Sequence, residues 1–171
     1  SYGSRFVVFR SAASNAAVTQ LTQDGQPVVL DGNGLRFTVW ENGTYAAEFA
    51  DGATAEASVE TIPAPETVPQ DWTVSFQKER GAPEGEIAFD QLISWTERLE
   101  AGIKYFSGTA TYEKSVTVSA ERLQADRRVW IDLGQVEQLA EVSVNGTSLG
   151  VLWKKPFKVD ITDAVEPGAN H

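Results

Sequence analysis

The sequence predicts an all-β protein, and three observations carry that expectation. Apolar residues recur at every second position in run after run, the period of strands with one face on a core and the other toward solvent. Turn dipeptides separate the runs: Asp24-Gly25, Asp31-Gly32, Asn42-Gly43, Asp51-Gly52 and Asn145-Gly146 each join glycine to a residue that tolerates positive φ. No stretch keeps a helical period beyond about three turns.

The opening run "SRFVVFR" reads as an apolar strand without a lead-in, the last strand of an upstream domain. Leu35, Phe37 and Val39 alternate with Arg36, Thr38 and Trp40, and Tyr45, Ala47 and Phe49 follow the Asn42-Gly43 step. These two runs are expected to pair as a hairpin. "TIPAPETVPQD", Thr61 to Asp71, holds Pro63, Pro65 and Pro69, which cannot donate to a ladder and favour an extended connector. The expected organisation is a small antiparallel β-region over 1–61, a connector over 62–71, and a β-sandwich over 72–171. Trp72 is expected to pack the two parts together.

Within the second part Trp72, Val74 and Phe76 alternate, as do Val129, Ile131 and Leu133, then Ala140, Val142 and Val144. "DQLISWTERLEAG", Asp90 to Gly102, spaces Leu92, Ile93, Trp95 and Leu99 roughly as a short helix or turn would. Asn145-Gly146 turns Val142 and Val144 back onto Leu149 and Val151. Trp153-Lys154-Lys155-Pro156 then interrupts the ladder, because Pro156 has no N–H to give. Phe157, Val159 and Ile161 resume on an apolar face, with Lys158 and Asp160 on the other. Thr162 is placed to cap one turn, "DAVEPG", ahead of a strand launched at Asn170-His171.

Composition removes several function classes. The 171 residues carry 24 acids against 14 bases, a net charge of −10, which repels phosphate backbones and anionic membrane surfaces. Nucleic acid and membrane are therefore not expected partners. With no cysteine and one histidine, His171, thiol catalysis, a Ser-His-Asp triad and Cys or His metal sites have no material to work with. The chain contains no methionine, which suggests a piece of a longer polypeptide.

The segments "YFSGTATYEKSVTV", "DLGQVEQLAEVSVNGTSLG", "WKKPFKVDIT" and "PGAN" occur in that order. Together they resemble the galactose-binding-like jelly roll, the sugar-binding domain of glycoside hydrolase family 2, most closely as it stands at the C-terminal end of family 106 α-L-rhamnosidases. The resemblance covers about residues 70 to 171, and "RFVVFR" with "GTYAAEFADG" resembles, less specifically, the β-rich segment preceding that domain. It implies a galactose-binding-like jelly-roll β-sandwich preceded by a small antiparallel β-region, part of a bacterial enzyme that is secreted or periplasmic. It also implies a non-catalytic role, either weak carbohydrate binding or support of the parent enzyme's catalytic domain, since catalysis in that family lies in a separate barrel. The alternative is a purely structural sandwich with no ligand. Modules of this type often hold a structural calcium, although no ligand set is evident, and none is required. The family pattern continues into an apolar closing strand, so the sandwich is expected to lack its last strand and to self-associate through the open edge.

Sugar recognition needs an aromatic face for the apolar side of a pyranose, with charged or amide groups beside it for hydroxyls. Trp153 with Lys154 and Lys155 meets that requirement, as do Trp95 with Glu97 and, more loosely, Tyr105. The commoner role of such aromatics is to close the end of a sandwich or fill a core, and for Trp95 and Tyr105 that role is the stronger expectation. Glu79, Glu84, Glu86 and Asp90 lie together in "KERGAPEGEIAFD", which reads as a solvated acidic loop rather than the paired carboxylates of a glycosidase, about 5 to 10 Å apart. No catalytic residue is assigned. "DGNG" at Asp31 lacks the later bidentate acid of a calcium loop, and the "NGT" sequons at Asn42 and Asn145 are accounted for as turns.

Overall fold

A computed structural model describes residues 2–8, 17–33 and 35–171. Along the first half run strands β1 (Tyr2–Val8), β2 (Val18–Gln23), β3 (Gln26–Pro27), β4 (Gly32–Asn33), β5 (Arg36–Val39), β6 (Gly43–Phe49), β7 (Thr54–Val59), β8 (Trp72–Phe76) and β9 (Glu86–Phe89). A 3-10 turn at Trp95–Glu97 and one helical turn, α1 (Ala101–Lys104), come next. Then follow β10 (Ala110–Glu113), β11 (Val116–Val118), a 3-10 turn at Ala120–Leu123, β12 (Arg127–Asp132), β13 (Ala140–Val144), β14 (Thr147–Leu152), β15 (Lys158–Asp160) and β16 (Gly168–Asn170). The protein is all-β, as its period-2 patterning predicts.

The chain divides into two units, one formed by residues 1–66 and 118–168, the other by 67–117 and 169–171. One crossing, between Glu66 and Thr67, falls inside the proline-rich step. The chain returns to the first unit at Val118, so β12 and β15 share a sheet with β1 from the opening run.

In the first unit a five-stranded antiparallel sheet runs in the order β15-β12-β1-β5-β4, and a four-stranded one in the order β3-β2-β6-β7. Val7, Phe37 and Val39 from the first sheet and Tyr45, Ala47, Phe49 and Val59 from the second form one buried cluster. Burying a side chain the size of Phe49 or Val39 contributes roughly 1.5–3 kcal/mol. A second cluster gathers Val129, Val144 and Ile161 with Leu123, Ile131, Leu149, Val159, Ala164 and Val165, which seats the hairpin of β13 and β14 on β12 and β15. Phe157 and Ile161 are buried, Val159 half-buried, and Lys158 and Asp160 take the opposite parity, as expected.

Two turn dipeptides do not act as expected. Val39 on β5 pairs with Arg5, whereas Tyr45 on β6 pairs with Gln23 and Ala57, so the Asn42-Gly43 step carries the chain between sheets instead of turning a hairpin. Both runs aim their apolar residues at one core from opposite layers, and the period-2 pattern is the same either way. Gly32 lies in β4 opposite Phe37, where a Cβ would collide with the Phe37 ring and the Arg36 carbonyl; glycine is needed there for close approach, not for a turn. By contrast, Asp24 and Gly25 (φ 49° and 79°) and Asn145 and Gly146 (φ 51° and 78°) do turn two-residue hairpins.

The second unit builds a three-stranded sheet, β10-β8-β9, over Val74, Phe76, Phe89 and Ile103, all buried. Its helical content is a single turn. Leu99 is 98 % exposed, so the apolar residues of 90–102 do not form the buried stripe a longer helix would require. β16 pairs with β11, and its strand begins at Gly168, two residues before the expected start. Thr162 does not cap its turn. Its hydroxyl accepts the Val129 N–H at 2.8 Å and lies 2.6 Å from Asp160 Oδ1, while the turn is closed by Ala164 N–H to the Ile161 carbonyl at 3.0 Å.

Candidate functional site

The Trp153 step is a short loop between β14 and β15 with a fixed base. Phe157 is buried, its carbonyl accepts the Leu133 N–H at 2.9 Å, and the Pro156 carbonyl accepts the Lys158 N–H at 2.9 Å. Above that base Trp153 is 70 % exposed, and the Lys154 Nζ lies 5.2 Å from the centre of the indole. Lys155 and Pro156 are exposed and, with Phe157, form one wall of an open depression whose other wall is Asp132, Gly134 and Gln135. Asp132 Oδ1 accepts the Gly134 N–H at 2.8 Å, and its Oδ2 lies 3.4 Å from Lys158 Nζ. The Gln135 amide donates to Glu137 at 2.8 Å. An exposed indole, two ammonium groups, a carboxylate and an amide therefore lie within one loop and the turn beside it.

The open end of the hairpin carrying this loop exposes large apolar side chains. Glu141 stands opposite Val151, and Leu139 and Trp153 lie just beyond the ends of the two paired strands. All four are exposed.

Trp95 and Tyr105 belong to the second unit, and the Trp153 loop to the first. Trp95 is a core element. Its indole N–H donates to Tyr112 Oη at 2.6 Å, and its ring meets Phe76 and Phe106 edge to face, both at 5.6 Å. Tyr105 is 77 % exposed, with Lys104 Nζ at 5.7 Å from its ring. Trp72 packs inside the same unit, on Tyr112 at 6.5 Å, with Lys114 Nζ 5.7 Å from its ring. Glu79, Glu84, Glu86 and Asp90 are exposed. Among the described residues no group of three or more His, Cys, Asp or Glu stands close enough to hold a metal ion. No described helix is long and apolar enough to cross a membrane.

Sequence reasoning passed over a second aromatic pair. Trp40 and Trp130 lie 5.5 Å apart at 59°, with Lys158 Nζ 6.0 Å from the Trp40 ring centre. A signal for them exists in the alternation: Trp40 continues the polar parity of Arg36 and Thr38, and Trp130 lies between Arg128 and Asp132 while Val129 points inward.

No protein-family model matches the chain. Over 128 residues, 75 % of its length, it is 38 % identical to a protein of Formosa agariphila described as "Putative beta-glucuronidase". A solved structure of a rhamnosidase from Novosphingobium sp. PP1Y matches 85 % of the chain at 30 % identity with a TM-score of 0.57. The chain spans 11 % and 14 % of the lengths of these two proteins. It is thus related to a segment of much larger glycoside hydrolases.

Proposed function

We propose that this chain is a non-catalytic carbohydrate-binding module of a larger, secreted or periplasmic glycoside hydrolase, with a galactose-binding-like sandwich as its frame and the Trp153 loop as its sugar contact. The observation that carries this reading is the Trp153 indole, 70 % exposed on a loop whose base is anchored by buried Phe157. An indole held out in water on a fixed loop offers an apolar plane without an ordering cost at binding. Lys154 stands beside the indole, and Lys155, Asp132 and Gln135 line the depression next along the loop, where they can exchange hydrogen bonds with hydroxyls. One stacking contact and a few exposed hydrogen bonds correspond to about 4 kcal/mol, a dissociation constant near millimolar. The test is a titration with oligosaccharides that follows indole N–H resonances. A saturable shift of the Trp153 signal, lost in Trp153→Ala, is the expected result, and shifts confined to other tryptophans would overturn the assignment.

A second reading has its own support. Leu139, Val151 and Trp153 are large apolar residues exposed at or just beyond the open end of the hairpin, the character of a face that packs on protein. On this reading the module braces the parent's catalytic domain through that face and binds nothing. Trp153→Ala in the parent enzyme separates the two: a lowered unfolding temperature favours bracing, and an unchanged one with weakened glycan retention favours sugar binding.

A further inference from the structure

We propose that the outer face of the five-stranded sheet, centred on Trp40, is a second carbohydrate-contacting surface, joined to the Trp153 loop through Asp132, so that the module takes an oligosaccharide rather than a single sugar. The proposal rests on the reading of that loop as a sugar site.

The argument begins with parity. Phe37 and Val39 on β5, Val129 and Ile131 on β12, and Val159 on β15 supply the inward face. The same strands send Arg128, Trp130, Asp132, Lys158 and Asp160 outward, and Trp40 follows directly on β5. On this face two indoles lie in contact. Trp40, 41 % exposed, is held at 5.5 Å against Trp130, which fixes its orientation before any ligand arrives.

The charges around the indoles are already paired. Arg128 donates to Asp160, whose other oxygen takes the Thr162 N–H at 2.9 Å and lies 2.6 Å from the Thr162 hydroxyl, so that pair is locked in place. Asp132 is held less tightly. It takes one N–H from Gly134 and lies 3.4 Å from Lys158 Nζ, and a carboxylate has about four acceptor positions. Lys158 Nζ in turn stands 6.0 Å from the Trp40 ring centre, the outer limit of a cation–π contact. A pyranose laid on Trp40 would move that ammonium aside and place hydroxyls between it and Asp132. Internally neutralised charge suits a neutral polyol that exchanges hydrogen bonds with both signs, and the net charge of −10 disfavours a polyanion. Because Asp132 also lines the depression beside Lys155, the two surfaces share a wall.

The experiment uses the 171-residue chain labelled with nitrogen-15, its five indole signals assigned by single Trp→Phe variants. The probes are methyl α-L-rhamnopyranoside, methyl β-D-glucopyranoside, and uncharged tetrasaccharides containing rhamnose. The single sugars are expected to shift Trp153 alone. The tetrasaccharides are expected to shift Trp153, Trp40 and Trp130 together and to bind about tenfold more tightly. Trp40→Ala removes that tenfold gain, and the wild-type shifts keep the proposal testable should the variant fold poorly. Tetrasaccharide shifts at Trp153 alone, with no gain in affinity, would overturn the second surface and leave the loop reading intact. Shifts at Trp40 and Trp130 with Trp153 silent would sustain the sheet face and overturn the loop. Silence from all three with every probe overturns both and leaves the face to protein packing.

Discussion

Trp95 and Trp153 are each an indole in a turn-like segment with charged neighbours, a core role being the stronger expectation for Trp95, and the fold gives them opposite fates. Trp95 donates to Tyr112 Oη and is wedged edge to face between Phe76 and Phe106. Trp153 leans on Lys154 and is otherwise exposed to water. The difference follows from what surrounds each. The segments beside Trp95 bring five further aromatic rings, Trp72, Phe76, Phe89, Phe106 and Tyr112, into one cluster, and the indole N–H has a phenol to pair with. At Trp153 the loop buries Phe157 instead, which fills the sandwich end and leaves the indole with no core to enter. An aromatic is available for recognition where another residue has already taken its structural role.

The largest effects should come from the Trp95 side. Phe89→Ala removes a fully buried ring from the cluster and is expected to cost about 3–5 kcal/mol, read from urea unfolding. A loss below about 1 kcal/mol would mean that this cluster is not a packed core and would erase the contrast with Trp153. Trp95→Phe keeps an aromatic but withdraws the N–H from Tyr112, leaving a half-buried hydroxyl without that donor. The expected cost is about 1–3 kcal/mol, and it should shrink in a Tyr112→Phe background, where nothing is left unpaired.

Alkaline pH probes the same cluster through its phenol. Burial pushes the Tyr112 pKa above its ordinary value near 10, with the Trp95 hydrogen bond and the Arg98 charge pulling the other way. Tyr45, in the core of the first unit, is also raised, by burial and then by the charges of Glu41 and Asp24, against its hydrogen bond to the Glu41 carbonyl at 2.8 Å. A raised phenol keeps its proton in the folded state after the unfolded chain has lost it. Stability should therefore be flat below pH about 10 and fall as pH rises from there through the folded-state pKa values. Denaturant midpoints measured across that range check the sign, and Tyr112→Phe should flatten the decline. A midpoint that rises with pH would contradict the burial of both phenols.

Much of the strand inventory could be read from alternation alone, because Phe37 with Val39, Tyr45 with Ala47 and Phe49, and Val129 with Ile131 each place one parity inside. Pairing could not be read the same way. Alternation says which side of a strand is apolar, not which layer it joins, and so β5 and β6 looked like a hairpin although they face each other across the core. The return of β12 and β15 to the sheet of β1 is likewise a long-range pairing with no local mark. At the candidate site, the exposure of Trp153 was foreshadowed by Pro156, which ends the ladder, and by the lysines beside the indole. The polar parity of Arg36, Thr38, Arg128 and Asp132 marks Trp40 and Trp130 as outward, but their contact joins strands far apart in the chain and leaves no local sign.

The smallest expected effect on stability is the one that most sharpens the comparison. Trp153→Ala removes a large side chain, which in a core would rank with the most costly substitutions. Here the indole is 70 % exposed, with an ammonium of its own loop 5.2 Å from its ring, so it buries little surface and its loss leaves no cavity. The loop's anchorage, buried Phe157 with the Leu133 N–H on its carbonyl, does not pass through the indole. Unfolding free energy should therefore change by no more than about 0.5 kcal/mol. The companion variant Phe157→Ala, at the base of the same loop, should cost about 3–5 kcal/mol. Equal losses in the two variants would show that the indole closes the sandwich end after all, and the sugar-stacking role would fall with it.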